Sequence, residues 1–161
     1  MKTKTKERVS TPESYALLHE GAIALARVEA NGLHIDESLL DRTIADVGRQ
    51  IHELSDRLKA DKIWRTWKRE WKDRANLGSR EQLANVIFEV MGEECRIRTK
   101  KTERPSAEEE AFSHLDIPFV KDYLKVESLK KAKATYLEGL KREVVDGRVH
   151  PFFHLSGSGE D

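Results

Sequence analysis

Basic and aromatic residues are interleaved in the middle of the chain, in a pattern that could hold a phosphate backbone. Residues 62–74 (KIWRTWKREWKDR) contain six basic and two acidic residues, a local charge of +4. Trp64, Trp67 and Trp71 are three and four residues apart, so they share one face of a helix. That face could stack nucleobases between phosphate-binding cations. The alternative is an aromatic stripe packed in a helical core with the Lys and Arg heads in water, and the spacing favours this alternative.

A second basic segment, residues 96–104 (RIRTKKTER), carries five basic residues and one acid, again a charge of +4. It ends at Pro105-Ser106, before the acidic run 108–110. Such a loop could become ordered against a phosphate backbone or could simply be solvated, and charge alone favours neither. The 29 basic and 29 acidic residues of the whole chain cancel, so the net charge of zero conceals this local segregation.

Other kinds of chemistry find no support in the residue types. The single cysteine, Cys95, excludes an internal disulfide framework. His150 and His154 are four residues apart, but Pro151 breaks the helix that would place them on one face. There is no Gly-rich phosphate loop, serine elbow or recognisable pair of catalytic carboxylates. We therefore expect no catalytic residue, no metal and no cofactor in this chain.

The composition predicts a mainly α protein. A charged fraction of 36% beside 38% apolar residues suits long helices with narrow buried stripes. We divide the 161 residues into a polar lead-in (1–12), a helical domain (13–145) and a strand with a loop (146–161). No apolar run is long enough to span a bilayer or to serve as a signal peptide, which predicts a cytoplasmic protein without a membrane partner.

Two long helices are expected to form an elongated antiparallel hairpin. A separate helix should come before this hairpin, beginning near Thr11-Pro12 and ending at Asn31-Gly32. Asp36 should then cap the first helix of the hairpin. The helix that begins after Asp36 carries apolar residues in steps of four and three, the spacing of a helix packed along another helix. These residues are Leu40, Ile44, Val47, Ile51, Leu54 and Leu58. Its expected partner is the stretch 117–145, where Tyr123, Leu129, Ala132, Tyr136, Leu140 and Val144 follow helical spacing.

Short elements are predicted at the tip and at the end of the chain. Residues 75–79 predict a turn, and Ser79 with Gln82 suits a capping box at the start of a helix over 80–91. That helix should bury Leu83, Val86, Ile87 and Val90. Asp146-Gly147 predicts a turn before a short strand over 149–155.

Several segments, in order, resemble family A DNA polymerases of the bacterial polymerase I type, including phage-like members. Residues 26–36 (ARVEANGLHID) are similar to the "ME-x-x-G-I-x-I-D" segment that opens the thumb of that family. Residues 76–83 resemble its "N-x-x-S-x-x-Q-L" element, and residues 99–106 resemble its "T-x-K-T-x-x-x-P-S-T" tip loop. Residues 131–136 and 146–150 match the second long helix and the strand that enters the palm. The resemblance covers about residues 20–155.

The resemblance implies a thumb that grips duplex primer–template DNA during replication, with the rest of the polymerase or a processivity factor as further partners. Positions that match the family's motifs are implied DNA contacts: Asn76, Ser79, Gln82, Thr99, Lys100, Lys101, Thr102, Arg104, Ser106 and Lys131. These side chains would position the backbone without reading sequence. Ala107, Glu103 and Glu127 depart from the family, which usually has Thr, Gly and Arg there, and a carboxylate at 127 would repel phosphate.

The family's palm carboxylates, which hold Mg²⁺ for nucleotidyl transfer, and its fingers helix would lie beyond the end of this chain. We therefore expect a segment that does not polymerise DNA by itself, from a bacterium or a phage-infected cell. A different class of function is also open, namely a helical protein-interaction module that binds a partner through the heptad-like seam and the Trp stripe.

Overall fold

The computed structural model describes residues 11–100 and 102–153. They form two compact units, of which one contains the chain up to Leu40 together with the chain from Leu140, and the other contains Asp41–Gly139. The predicted mainly α fold is confirmed, because one two-stranded sheet accompanies the helices of the described residues. The boundaries predicted at residues 12 and 145 stay predictions. Within the described ranges, no helix is both long and apolar enough to cross a bilayer.

The first unit begins with helix α1, Pro12–Asn31. The Thr11 hydroxyl accepts a hydrogen bond from the Ser14 amide, which confirms the predicted cap. Gly32 ends the helix at φ 65°, and its amide donates to the Val28 carbonyl. A side chain at this glycine would lie 2.9 Å from the His150 ring, so the position requires glycine for space as well as for conformation.

A small antiparallel sheet completes the first unit. Strand β1, Leu33–His34, pairs with β2, Arg148–Val149. The predicted turn precedes β2: Asp146 and Gly147 have φ angles of 50° and 73°, the left-handed values of a type I′ turn. The predicted strand over 149–155 is wrong in length, because β2 ends at Val149. The amide of Phe153 donates instead to the Glu29 carboxylate, and residues 154–155 lie outside the described residues.

Helix α2, Glu37–Ala60, follows the predicted cap, since the Asp36 carboxylate accepts from the Leu39 amide at 2.9 Å. In the second unit α2 packs antiparallel to a later helix, α5, which spans Pro118–Lys131. Arg57 donates to Asp122 at 2.7 Å, and a side chain at Gly48 would lie 3.4 Å from Lys133. Positions later in α2 thus face positions earlier in the partner, which confirms the antiparallel pairing within this unit.

Helix α3, Lys62–Trp71, begins at the cap residue Asp61, whose carboxylate accepts from the Ile63 amide. Trp64 and Trp67 are buried and Trp71 is half-buried. The favoured interpretation of the Trp stripe as core is therefore confirmed. The helix ends at Lys72 with φ 49° and ψ −126°, a conformation that glycine adopts readily and other residues avoid. One 3₁₀ turn, Lys72–Arg74, follows.

Helix α4, Arg80–Ala84, continues as a π-helix, Asn85–Val90. The predicted burial of Val90 is wrong, because this side chain is 38% exposed and Phe88 is buried instead. The Met91 amide donates to the carbonyl of Val86, five residues earlier. This wider turn rotates the helix relative to the 3.6-residue period assumed from the sequence. A 3₁₀ turn, Glu109–Phe112, precedes the last long helix.

The last helical stretch consists of α5, Pro118–Lys131, a π-helix, Ala132–Leu137, and α6, Glu138–Glu143. The predicted apolar face is wrong at Tyr136, which is 63% exposed. Tyr136, like Val90, lies in a π-helix, where the 3.6-residue period does not hold. The core of the second unit draws on helices α2 to α5 and on the 3₁₀ turn. Its sixteen buried members are Leu54, Leu58, Ile63, Trp64, Trp67, Leu83, Ala84, Val86, Ile87, Phe88, Ala111, Phe112, Phe119, Val120, Tyr123 and Val126.

Candidate nucleic-acid interface

Gln82 links the start of α4 to the core of the second unit. Its amide oxygen accepts from the indole nitrogen of fully buried Trp67 and from the Asn76 amide, each at 2.9 Å. Its amide nitrogen donates to the Arg74 carbonyl at 3.0 Å. The predicted capping box is therefore wrong in its second half, since the Gln82 side chain bonds to these groups and the Ser79 amide donates to the Asn76 carbonyl.

Asn76 and Ser79 shape the turn that leads into α4. The Asn76 side-chain oxygen accepts from the Gly78 amide at 2.9 Å, and the Ser79 hydroxyl accepts from the Gln82 amide at 3.3 Å. Asn76 remains exposed and Ser79 is half-buried. The structure thus brings three predicted contact residues, Asn76, Ser79 and Gln82, into one hydrogen-bonded turn.

The tip loop, residues 96–106, is closed by backbone hydrogen bonds between its two sides. The Thr99 amide donates to the Arg104 carbonyl at 2.9 Å, and the Ser106 amide donates to the Ile97 carbonyl at 2.9 Å. The hydroxyls of Thr99 and Thr102 are 2.7 Å apart. Ser106 is 5% exposed, and its hydroxyl accepts from the Glu108 amide. Ser106 therefore holds the base of the loop.

Glu103 occupies a left-handed position in the tip loop, with φ 54°. Its amide donates to the Thr99 carbonyl, and its own carbonyl accepts from the Arg98 guanidinium at 2.8 Å. A glycine adopts this φ without steric cost, whereas a residue with a Cβ does not. The departure noted in the sequence thus falls at a position whose backbone favours glycine.

A groove of about 840 Å³ lies between the tip loop and the helix that follows the Asn76 turn. Its lining residues are Trp71, Glu81, Asn85, Glu89, Thr99, Thr102, Glu103, Arg104, Pro105 and Ala107. The Glu89 carboxylate already pairs with the Arg98 guanidinium at 3.1 Å. The groove therefore brings Thr99, Thr102 and Arg104, three of the predicted contacts, to one surface.

Two tip-loop cations lack an acidic partner. Arg96 and Arg98 pair with Glu94 and Glu89, whereas Lys100 and Arg104 are exposed and have no ion pair among residues 11–100 and 102–153. Their charges are therefore available to an anion outside the chain. Lys101, the third predicted cation, lies outside the described residues.

Lys131, at the end of α5, is exposed, and no contact within the described ranges joins it to the tip loop or to the Asn76 turn. Glu127, one turn earlier, accepts from Lys130 at 3.0 Å, and this pair offsets the carboxylate charge beside Lys131. Glu127 also affects the neighbouring core: burial first, and then this carboxylate, raise the pKa of Tyr123 far above its ordinary value. The Tyr123 hydroxyl is buried without a hydrogen-bond partner in the described structure.

Three or more His, Cys, Asp or Glu side chains do not converge as metal ligands anywhere in residues 11–100 and 102–153. The exposed cations of the tip loop suit an anionic ligand. Sequence motifs identified these residues, whereas the Gln82–Trp67 bond joins residues fifteen positions apart and no local pattern indicated it.

Comparisons of the sequence with known proteins point to one family. The profile of DNA polymerase family A matches residues 44–159. A thermostable DNA polymerase I from Thermus filiformis is 31% identical over 138 residues, which cover 83% of this chain and 16% of that protein. A thermostable DNA polymerase I from Thermus thermophilus is 28% identical, over 95% of this chain and 18% of its own length. The chain thus spans under a fifth of each relative and belongs to DNA polymerase family A.

Proposed function

We propose that this chain is the thumb segment of a family A DNA polymerase and grips the primer–template duplex, while catalysis resides in parts of the polymerase outside it. The observation that carries the proposal is the tip loop. Hydrogen bonds tie its backbone, and Lys100 and Arg104 are exposed and form no ion pair with a described acidic residue. Cations held in this way release counterions when they meet phosphates, which drives sequence-independent binding. The Thr99 and Thr102 hydroxyls beside them add hydrogen-bonding groups for phosphate oxygens.

Within this proposal the predicted contact residues divide into two roles. Lys100, Lys101, Arg104, Thr99 and Thr102 contact the phosphate backbone directly. Asn76 contacts the duplex from the exposed turn, and Lys131 contributes a cation from α5. The remaining three, Ser79, Gln82 and Ser106, act as positioning residues, because each already bonds to the backbone of its own loop.

The alternative of a protein-interaction module depends on the heptad-like seam and the Trp stripe. Leu54 and Leu58 of the heptad-like seam are in the core, as are Trp64 and Trp67. A partner protein could reach these side chains only if the second unit opened. The seam and the Trp stripe therefore give no specific support to this alternative.

A salt titration of DNA binding tests the proposal. The complete 161-residue chain should bind a labelled primer–template duplex at low salt, with affinity that falls as salt rises. The tip variant carries Lys100→Gln, Lys101→Gln and Arg104→Gln. The slope of log K against log salt is negative, and its magnitude should decrease by about 2–3 in this variant, because each phosphate contact contributes roughly 0.9 to that magnitude.

A matched control removes three cations that already pair with carboxylates. Arg49→Gln, Lys59→Gln and Lys121→Gln change the net charge equally, but these side chains contact Asp46, Asp56 and Asp116. The control should leave the slope within about one unit of the parent. Absence of DNA binding at low salt, or equal slopes for the tip variant and this control, would refute the proposed interface.

A further inference from the structure

The cations of helix α3 form no ion pair with a carboxylate of the described residues. Eight Lys and Arg side chains elsewhere in the described ranges form ion pairs with carboxylates: Arg49, Arg57, Lys59, Arg96, Arg98, Lys121, Lys130 and Lys133. No cation of residues 62–74 takes part in an ion pair with a described residue. The local charge of +4 therefore faces solvent without internal compensation.

Three of these cations form a line on the helix. Lys62, Arg65 and Arg69 follow at intervals of three and four, so they share the face of α3 opposite buried Trp64 and Trp67. All three are exposed. We call these three residues the α3 basic stripe. Buried indoles behind it fix the helix against the core, so the stripe is presented on a rigid element.

Two of the three stripe cations lie at the end of the helix where the dipole disfavours them, although Arg65 also donates to the Ala60 carbonyl at 3.3 Å. The first turn of α3 contains no acidic residue, and Lys62 and Arg65 lie near the positive end of the helix dipole, where cations are unfavourable. The capping carboxylate of Asp61 offsets this only in part. At the other end of the helix, the backbone of Lys72 has φ 49° and ψ −126°. A glycine would adopt these angles without strain, but the chain has a lysine there. The helix dipole therefore gives no reason for the charges of Lys62 and Arg65, whereas Arg69 lies in the last turn, where a cation is favourable.

The C-terminal end of α3 adjoins the groove beside the tip loop. Trp71 lines the groove together with Arg104, and the Arg74 guanidinium lies 5.9 Å from the centre of the Trp71 ring. The end of α3 is thus next to the surface already proposed to bind DNA. A duplex in that place could continue along α3.

We propose that the α3 basic stripe is a second phosphate-binding surface, which contacts the backbone of the same duplex beyond the tip loop. This inference rests on the proposed function. Lys62 and Arg69 are seven residues apart, so the stripe is about 10 Å long at 1.5 Å per residue. One strand of B-DNA places a phosphate every 3.4 Å along the axis, which gives about three phosphates over that length. Three cations therefore face about three phosphates, without any contact to base edges.

The test compares three variants of the complete chain on one short blunt-ended DNA duplex. The stripe variant carries Lys62→Gln, Arg65→Gln and Arg69→Gln. The magnitude of its slope of log K against log salt should be smaller than that of the parent by about 2–3. The Arg49, Lys59 and Lys121 control carries the same change in net charge and should alter the slope by less than about one. A double variant, Lys62→Gln with Arg69→Gln, should decrease the magnitude of the slope by about two. It replaces the triple variant in the test if the triple variant does not keep the helical circular dichroism of the parent.

The outcomes separate this inference from the proposed function. In one outcome the parent binds, the tip variant has a slope of smaller magnitude, and the stripe variant behaves like the control. The proposed role of the stripe is then refuted and the thumb proposal stands. If the stripe variant lowers the slope and the tip variant does not, the stripe stands and the tip interface is refuted. If the parent does not bind the duplex at low salt, both are refuted.

Discussion

Replacing Gln82 by alanine should weaken the second unit strongly even without DNA. The substitution removes an acceptor from the indole N–H of Trp67, which is 0% exposed and has no route to water. A buried donor left unsatisfied costs about 1–3 kcal/mol, and each of the two lost backbone bonds contributes roughly 0.5–1 kcal/mol. We therefore expect the free energy of unfolding to fall by about 3 kcal/mol.

Urea unfolding followed by tryptophan fluorescence measures this loss, because all three tryptophans, Trp64, Trp67 and Trp71, lie in or against the core of the second unit. Gln82→Glu keeps an oxygen for Trp67 and for the Asn76 amide, but it loses the donor to the Arg74 carbonyl. It should cost less than alanine, about 1 kcal/mol.

A surface glutamine provides the matched control. Gln50 is exposed on α2, and Gln50→Ala should change stability by no more than about 0.5 kcal/mol. A loss below about 1 kcal/mol for Gln82→Ala, or a loss equal to that of the control, would show that the hydrogen-bonded turn does not depend on Gln82.

Three further changes test the backbone and the core. Glu103→Gly should raise the free energy of unfolding by about 1 kcal/mol in urea, because φ is 54°, whereas Glu103→Ala should give no such gain. Parent stability should decline as pH rises above about 10, since the raised pKa keeps Tyr123 protonated in the fold while the unfolded chain ionises. Tyr123→Phe should remove that contribution and lose no stability at neutral pH; a persistent alkaline loss of equal size would contradict the assignment. Gly32→Ala should destabilise more than Gly92→Ala in thermal melts, since both have positive φ but only the former brings a Cβ within 2.9 Å of His150.

Local signals in the sequence predicted local structure well. Thr11, Asp36 and Ser79 each accept from a backbone amide three positions later, and a nearby N–H is all that such a cap requires. Gly32 marked the end of α1 for an equally local reason, namely its positive φ. Motif matches likewise identified the tip loop, in which Lys100 and Arg104 are exposed.

Features that depend on distant partners were not predictable in this way. Gln82 has the spacing of a capping box, but its oxygen bonds to Trp67, a residue from the preceding helix. Charge counts located the basic segments, yet they could not show that Arg98 is paired while Arg104 is not. Val90 was misplaced because a constant helical period was assumed through a π-helical turn.

The two π-helices, Asn85–Val90 and Ala132–Leu137, also determine where the length of this chain can vary. A π turn accommodates more residues per turn than an α turn over a similar rise. Deleting one residue from Ala132–Leu137 would let the segment close as an ordinary α-helix, leaving both flanking helices continuous. The residues on either side of the deletion would keep their orientation around the axis, because the π turn had absorbed the extra residue. A structure-based alignment should therefore place single-residue gaps inside these helices as readily as in the loops.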